Sequence, residues 1–207
     1  MAFGRHWEWR GFATRDDGFG DAVRALPLLY ERPQHVVDRY LWAPGATLNV
    51  KLRLGELKLK RLLMTTEDGL EDWLEDPAEN FAFPLAPAVV ADVARALGVP
   101  LSGGEPTQAI ASEHVLLALL ERDASGVRVI EIEKQRWQHE GPPGASAIVE
   151  YASILRPQAV VSVGVEDEDR ERVLTTLRAL GLPGALRTAN YLDVLAIWGR
   201  GDSIVDG

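Results

Sequence analysis

The stretch 47–60 constrains the fold more than any other. From Thr47 the residues alternate, with Leu48, Val50, Leu52 and Leu54 on one side and Asn49, Lys51 and Arg53 on the other. After Gly55-Glu56 the alternation resumes, with Leu57 and Leu59 opposed to Lys58 and Lys60. Period 2 marks a strand with one buried face. A two-residue turn led by glycine, Gly55-Glu56, makes the two runs a hairpin. Such a hairpin buries its leucines and presents four cations, Lys51, Arg53, Lys58 and Lys60, on its other face.

Other segments extend the pattern. His6, Glu8 and Arg10 alternate with Trp7 and Trp9, which predicts a strand over 6–10 with Glu8 and Arg10 on one face. Further strands are expected over 34–42, 126–137, 147–154 and 159–166. A short helix is expected over 21–26, stopped by Pro27. A second is expected over 87–97, with proline near its start and Gly98 just past its end. A third spans 167–180, with acids in its first turn and Gly181 as C-cap. The segment 112–122 fits a helix capped by Ser112, with Val115, Leu116, Leu119 and Leu120 as its apolar stripe, or else a strand. The stretch 69–75 reads as a short acidic helix or turn, and 191–198 as a terminal strand or helix. Loops are expected over 16–21, 43–45, 101–107 and 141–144. Six to eight strands with a few helices make an α+β fold, expected as one domain over 1–207. The strands form no βαβ units and no glycine-rich phosphate loop follows them, which argues against Rossmann and P-loop folds.

Charge and composition narrow the function. The chain has 22 Lys and Arg against 31 Asp and Glu, a net charge of −9, which argues against general nucleic-acid binding. There is no cysteine, so disulfides, thiolate metal sites and cysteine nucleophiles are excluded. No apolar run approaches the ~20 residues that span a bilayer, and the first residues lack a signal-peptide apolar region. A soluble, cytoplasmic protein with no membrane partner is expected. The charge is unevenly spread. The segment 51–61 holds five bases and one acid, and 67–79 holds seven acids and no base. The acidic run lacks the EF-hand spacing of a Ca²⁺ loop and is expected on the solvated surface. His35, His114 and His139 show no metal-like spacing.

The basic residues of the hairpin join Arg10 and the pair Lys134 and Arg136, which share a face of another strand. Glu8, Glu150 and Glu166 lie on or at the end of three more strands. The wet face of an antiparallel sheet accounts for any one of these residues. As a set they are a basic face in an acidic protein. If helices cover the leucine faces and the sheet curls into a small barrel, the charges line a tunnel.

In this order the motifs resemble the CYTH, or triphosphate tunnel metalloenzyme, superfamily. His6-x-Glu8-x-Arg10 stands where the family writes E-x-E-x-K, and Asp38-Arg39-Tyr40 resembles its D-x-Y strand. Val50-Lys51-Leu52-Arg53 and Leu57-Lys58-Leu59-Lys60 look like its two basic strands, and Lys134-Gln135-Arg136 like its K-x-R strand. Glu150 stands in the acid-bearing strand. Gly164-Val165-Glu166 followed by Leu180-Gly181-Leu182 is similar to an E-x-E strand, helix and L-G-L. Asn190-Tyr191 resembles the closing S-Y motif. The resemblance implies an antiparallel tunnel of about eight strands with helices outside, binding a small anionic ligand that contains a triphosphate. It implies a metal-dependent phosphohydrolase of inorganic or organic triphosphates. Arg10, Lys51, Arg53, Lys58, Lys60, Lys134 and Arg136 would be its phosphate ligands, and Glu8, Glu150 and Glu166 its ligands to Mg²⁺ or Mn²⁺. Two family carboxylates are replaced, by His6 and Gly164. An alternative is therefore a degenerate tunnel that binds a phosphorylated metabolite or polyphosphate without cutting it. Imidazole is a poor ligand for Mg²⁺ and an acceptable one for Mn²⁺.

Overall fold

A computed structural model describes residues 4–104, 106–124, 126–145, 147–182, 184 and 186–204. Glu105, inside the loop expected over 101–107, lies outside the described residues. Among the described residues ten strands occur in one sheet: β1 (Arg5–Ala13), β2 (Gln34–Trp42), β3 (Leu48–Arg53), β4 (Glu56–Thr65), β5 (Glu71–Leu74), β6 (Asn80–Ala82), β7 (Arg128–Glu140), β8 (Ile148–Arg156), β9 (Val160–Asp167) and β10 (Arg187–Thr188). The pairing order β1-β5-β4-β3-β2-β7-β8-β9 returns to β1, because Glu8 pairs with Glu166 and Arg10 with Gly164 across β1 and β9. Eight antiparallel strands therefore close a barrel, which removes free sheet edges. Strand β6 adds to β4, and β10 to β1.

Among the described residues five α-helices pack on this barrel: α1 (Phe19–Arg24), α2 (Pro87–Ala96), α3 (Glu113–Asp123), α4 (Arg170–Leu180) and α5 (Tyr191–Arg200). Helices α2 and α3 cover Leu41, Leu48, Val50, Leu52, Leu57 and Leu59 on one side. Helices α1 and α4 cover Trp9, Val149, Val163 and Val165 on another. At about 1.5–3 kcal/mol per buried leucine, these outer faces decide which way each strand turns. A one-residue slip would expose the leucines and bury the lysines against helices. Helix α5 meets the inward residues Phe12, Tyr40, Trp42, Ile130, Ile132, Ile154 and Val160 and closes one end of the lumen.

The expected strands and helices occur, and the caps follow the sequence. The Ser112 hydroxyl accepts from Val115 N–H, and Gly181 ends α4 in the left-handed region. The segment 112–122 is a helix, with Leu116 and Leu120 buried and Val115 exposed, and 191–198 is also helical. Three readings are corrected. The hairpin turn is Leu54-Gly55, both with positive φ, and Leu54 points into solvent rather than joining the leucine face. The stretch expected as an acidic helix or turn contains strand β5, which β1 and β4 flank on both sides. The acidic run is not wholly solvated, since Glu71 and Asp72 are buried. Asp72 lies under the guanidinium of Arg5, and Glu71 accepts from Trp73 Nε1 at 2.8 Å. Among the described residues no helix is long and apolar enough to cross a membrane.

Candidate functional site

Inward positions of the barrel surround a cavity of about 830 Å³. All ten residues singled out in the sequence line it: Glu8, Arg10, Lys51, Arg53, Lys58, Lys60, Lys134, Arg136, Glu150 and Glu166. Helix packing on the leucine side is what turns these charges inward. His6, Tyr40, Asn49, Glu75, Gln138, Glu140 and Tyr191 also line the cavity.

Each cation has a different standing. Arg10 is buried and spans two carboxylates, donating from Nε to Glu8 at 2.9 Å and from Nη1 to Glu150 at 3.2 Å. Gly164 makes this possible, because a Cβ there would sit 2.6 Å from Arg10 Nη2. Glu150 also accepts from Lys134 and Arg136, each at 3.1 Å. Burial alone would raise the Glu150 pKa, but Lys134, Arg10 and Arg136 outweigh it and hold the carboxyl far below its usual range. Lys134 also donates to the Tyr191 hydroxyl at 3.2 Å, and the Arg10 guanidinium lies 5.0 Å from the Tyr191 ring centroid. Helix α5 thus sets the inner boundary of the charged region. Arg53 is held by a two-point contact to buried Asp38, a residue noted in the sequence only as part of a strand motif.

The β3–β4 wall is different. Lys51 and Lys58 sit directly opposite one another across the two strands. Like charges so placed repel. Lys58 has the rim acid Glu56 at 3.2 Å. Lys51 makes no hydrogen bond or ion pair to an acid among the described residues. Desolvation first, then the neighbouring charge of Arg53, pushes its pKa down to about 7. This wall is an electrostatic debt that a bound anion would settle.

The acidic corner lies on β1 and β9. His6, Glu8 and Glu166 each offer a ligand atom within 4.8 Å of the others. Lys60 donates to Glu8 at 2.5 Å and His6 Nε2 lies 3.8 Å from it. Burial opposes ionisation of Glu8, yet Lys60 and Arg10 hold its pKa well below normal. Glu166 lies the other way: burial and the charge of Glu8 raise its pKa. A cation at this corner would relieve that strain, and one imidazole with two carboxylates is a donor set suited to Mn²⁺ and less so to Mg²⁺. Glu150 is near enough for its charge to raise Glu166 further, and it is itself surrounded by three cations. Glu71 faces Glu8 across β1 and β5, and burial, then the charge of Glu8, raises its pKa to about 7.

The cavity is less basic than the sequence expectation of seven bases and three acids. Glu75 and Glu140 also line it, and Asp38 neutralises Arg53. Glu75 belongs to the acidic run, so its period-2 position next to β5 was the available signal. Nothing in the sequence separated Glu140 from a solvated strand end. The remaining histidines stand elsewhere: His139 faces Leu26 O at 3.0 Å and His35 contacts Glu133 at 2.9 Å.

No protein-family model and no curated protein sequence matches this chain. Solved structures do. A putative adenylyl cyclase from Hippeastrum, with a dominant triphosphatase activity, superposes with a TM-score of 0.52 over 98% of each chain at 13% identity. A conserved hypothetical protein from Pyrococcus furiosus superposes with a TM-score of 0.51, covering 91% of this chain and 98% of that one at 15% identity. At such identities the likeness is one of fold, a closed tunnel shared by divergent sequences.

Proposed function

We propose that this CYTH-like tunnel is a metal-dependent phosphohydrolase acting on a triphosphate, inorganic or organic. The observation that carries the reading is the Lys51–Lys58 pair facing into the same cavity as the His6–Glu8–Glu166 corner. The cations bind phosphate oxygens by charge-assisted hydrogen bonds, with Lys51 and Lys58 contributing most because no buried acid claims them. Arg53, Lys60, Arg136, Lys134 and Arg10 complete the positive lining. They are held in place by Asp38, Glu8 and Glu150, and such preorganised charge stabilises negative charge developing in a transition state.

Glu8 and Glu166, with His6, would hold the divalent ion, Mn²⁺ in preference to Mg²⁺. A bound ion of this kind neutralises phosphate oxygens and lowers the pKa of a bound water. In this reading Glu150 is not a metal ligand: its two oxygens orient Arg10, Lys134 and Arg136. In hydrolysis, water attacks the terminal phosphorus, the bond from phosphorus to the bridging oxygen breaks, and the leaving oxygen takes up a proton.

Phosphate release from inorganic triphosphate with Mn²⁺ or Mg²⁺ tests the reading. Release that falls in Glu166→Gln supports it. Gly164, where Arg10 fills the space of a carboxylate, favours the second reading, an anion-binding tunnel without hydrolysis. Tight triphosphate binding with no release under either metal would establish that second reading. No binding at all would sink both.

A further inference from the structure

Lysine is scarce in this chain and confined to one place. There are 4 lysines against 18 arginines, and Lys51, Lys58, Lys60 and Lys134 all line the cavity. Every basic side chain outside the cavity is therefore arginine or histidine. The two cations differ in chemistry: arginine stays charged, whereas a desolvated lysine gives up its proton and becomes a nucleophile. Three of the lysines have an acid within reach. Lys58 Nζ lies 3.2 Å from Glu56, Lys60 Nζ 2.5 Å from Glu8 and Lys134 Nζ 3.1 Å from Glu150. Lys51 has no such partner among the described residues.

The groups facing Lys51 are mostly cations. Lys58 on β4 lies directly opposite, with Lys60 on the same strand and Arg53 on its own. Tyr40 on β2 pairs with it and is a neutral phenol, its pKa raised by burial. Asp38 on β2 is held by Arg53, and Glu75, just past β5, acts on Lys51 through its charge. A pKa lowered to about 7 leaves about half of the amine uncharged at neutral pH, against roughly one part in 2500 for an ordinary lysine. The side chain is only partly buried and opens on the cavity, so a small electrophile can reach it. The neighbours select which one. An aldehyde would give an imine, neutral or positive, which gains nothing from Lys58, Lys60 and Arg53. Carbon dioxide gives an anion that those cations can hold by charge-assisted hydrogen bonds.

We propose that Lys51 is a carbon dioxide site, whose ε-amine is converted to a carbamate among Lys58, Lys60 and Arg53. The amine nitrogen bonds to carbon, one C–O π bond breaks with its electron pair passing to oxygen, and one N–H proton leaves to solvent. Nothing is oxidised or reduced. The adduct replaces a cation by an anion on the wall where the triphosphate reading puts phosphates. Carbon dioxide and a triphosphate therefore exclude one another, each weakening the other by the same factor. The carbamate stands without the triphosphate reading, and only the competition rests on it.

The test equilibrates the full chain with bicarbonate and carbon dioxide at about pH 7.5, traps carbamates with triethyloxonium and locates the ethyl carbamates by peptide mass spectrometry. The α-amine, with a pKa of about 8, sets the reference level. Lys51 is expected to match it and to exceed each other lysine by about 10-fold or more. In Lys51→Arg, which keeps a cation on the wall, the carbamate resonance from ¹³C-bicarbonate should fall to that of the α-amine alone. No adduct on Lys51, or an even spread over the four lysines, would overturn the proposal. Imidotriphosphate, where calorimetry shows it bound, should strip the adduct from Lys51 and spare that on the α-amine. An adduct that persists beside bound imidotriphosphate would overturn the competition and remove Lys51 from the phosphate ligands, with the carbon dioxide site intact.

Discussion

Two walls of one tunnel carry cations of opposite standing. On the β1–β7–β8 wall, Arg10, Lys134 and Arg136 converge on Glu150, and Arg10 also holds Glu8. On the β3–β4 wall, Lys51 and Lys58 face each other. The first wall is charge-satisfied and belongs to the architecture. On the second, Lys51 has no ion pair to an acid among the described residues and Lys58 has only the rim acid Glu56, so these two are the cations open to an external anion. Counting cations would not separate Lys51 and Lys58 from the rest, whereas finding the acid beside each one does.

The contrast breaks most sharply at Glu150. Glu150→Ala leaves three inward cations without their shared carboxylate, and removing one partner of a buried ion pair costs about 3–5 kcal/mol. A large fall in the urea midpoint is expected, and an unchanged midpoint would remove the distinction between the walls. Lys51→Ala should do the reverse. Stability should hold or rise, while triphosphate affinity drops about 10- to 100-fold, the worth of a charge-assisted hydrogen bond. Calorimetry together with unfolding reads both halves of that statement.

Gly164→Ala probes how tightly Arg10 is held. Its Cβ would push the guanidinium off Glu8 and Glu150, and overpacking of this kind costs about 1–3 kcal/mol. A thermal melt within error of the parent would show that Arg10 has room to move.

The smallest effects are in pH. The Lys51 pKa is lowered to about 7 in the folded protein, so the folded state loses this proton before the unfolded state does. Its penalty on stability is fully present below pH 7 and fades as pH rises toward the ordinary lysine value. Anion binding needs the charged form, so triphosphate affinity should weaken above pH 7. Lys51→Ala should flatten that limb, measured by titration from pH 6 to 9. Glu71 has a raised pKa of about 7, so its ionisation opposes folding as pH climbs from the normal glutamate value through 7. Glu71→Gln should therefore stabilise the protein at pH 8 and change little at pH 4.5. Equal effects at both pH values would refute the assignment.

Much of the barrel was legible because its strands have one leucine face and one charged face. Strand β3 and the first half of β4 alternate strongly enough that local pattern and final burial agree, whereas in β2 Val37 is exposed and Asp38 buried. Strand β5 was not legible. Its four residues, Glu-Asp-Trp-Leu, have little strand character of their own. They extend because β1 and β4 offer them hydrogen-bond partners on both sides. Leu54 misled for a related reason: alternation continued one residue past the point where the chain turns. Asp38, Glu71 and Glu75 were not marked as parts of the site, because an acid on a strand looks the same whether water or a guanidinium covers it.

The sequence alone determined which residues share a face, since period 2 follows from strand geometry without any partner. It also carried the helix caps and the unusual count of cations opposite leucines. Which faces converge was decided only by closure of β1 on β9, some 150 residues apart in the chain. That closure brings Arg10 to Glu150 and Glu166 to His6, while β5, paired between β1 and β4, brings Glu8 to Lys60. It separates cations that hold the barrel together from those left for a ligand. The net charge of −9 describes the whole surface and is silent on this division, because electrostatic standing inside a barrel depends on distance and burial, which have no linear code.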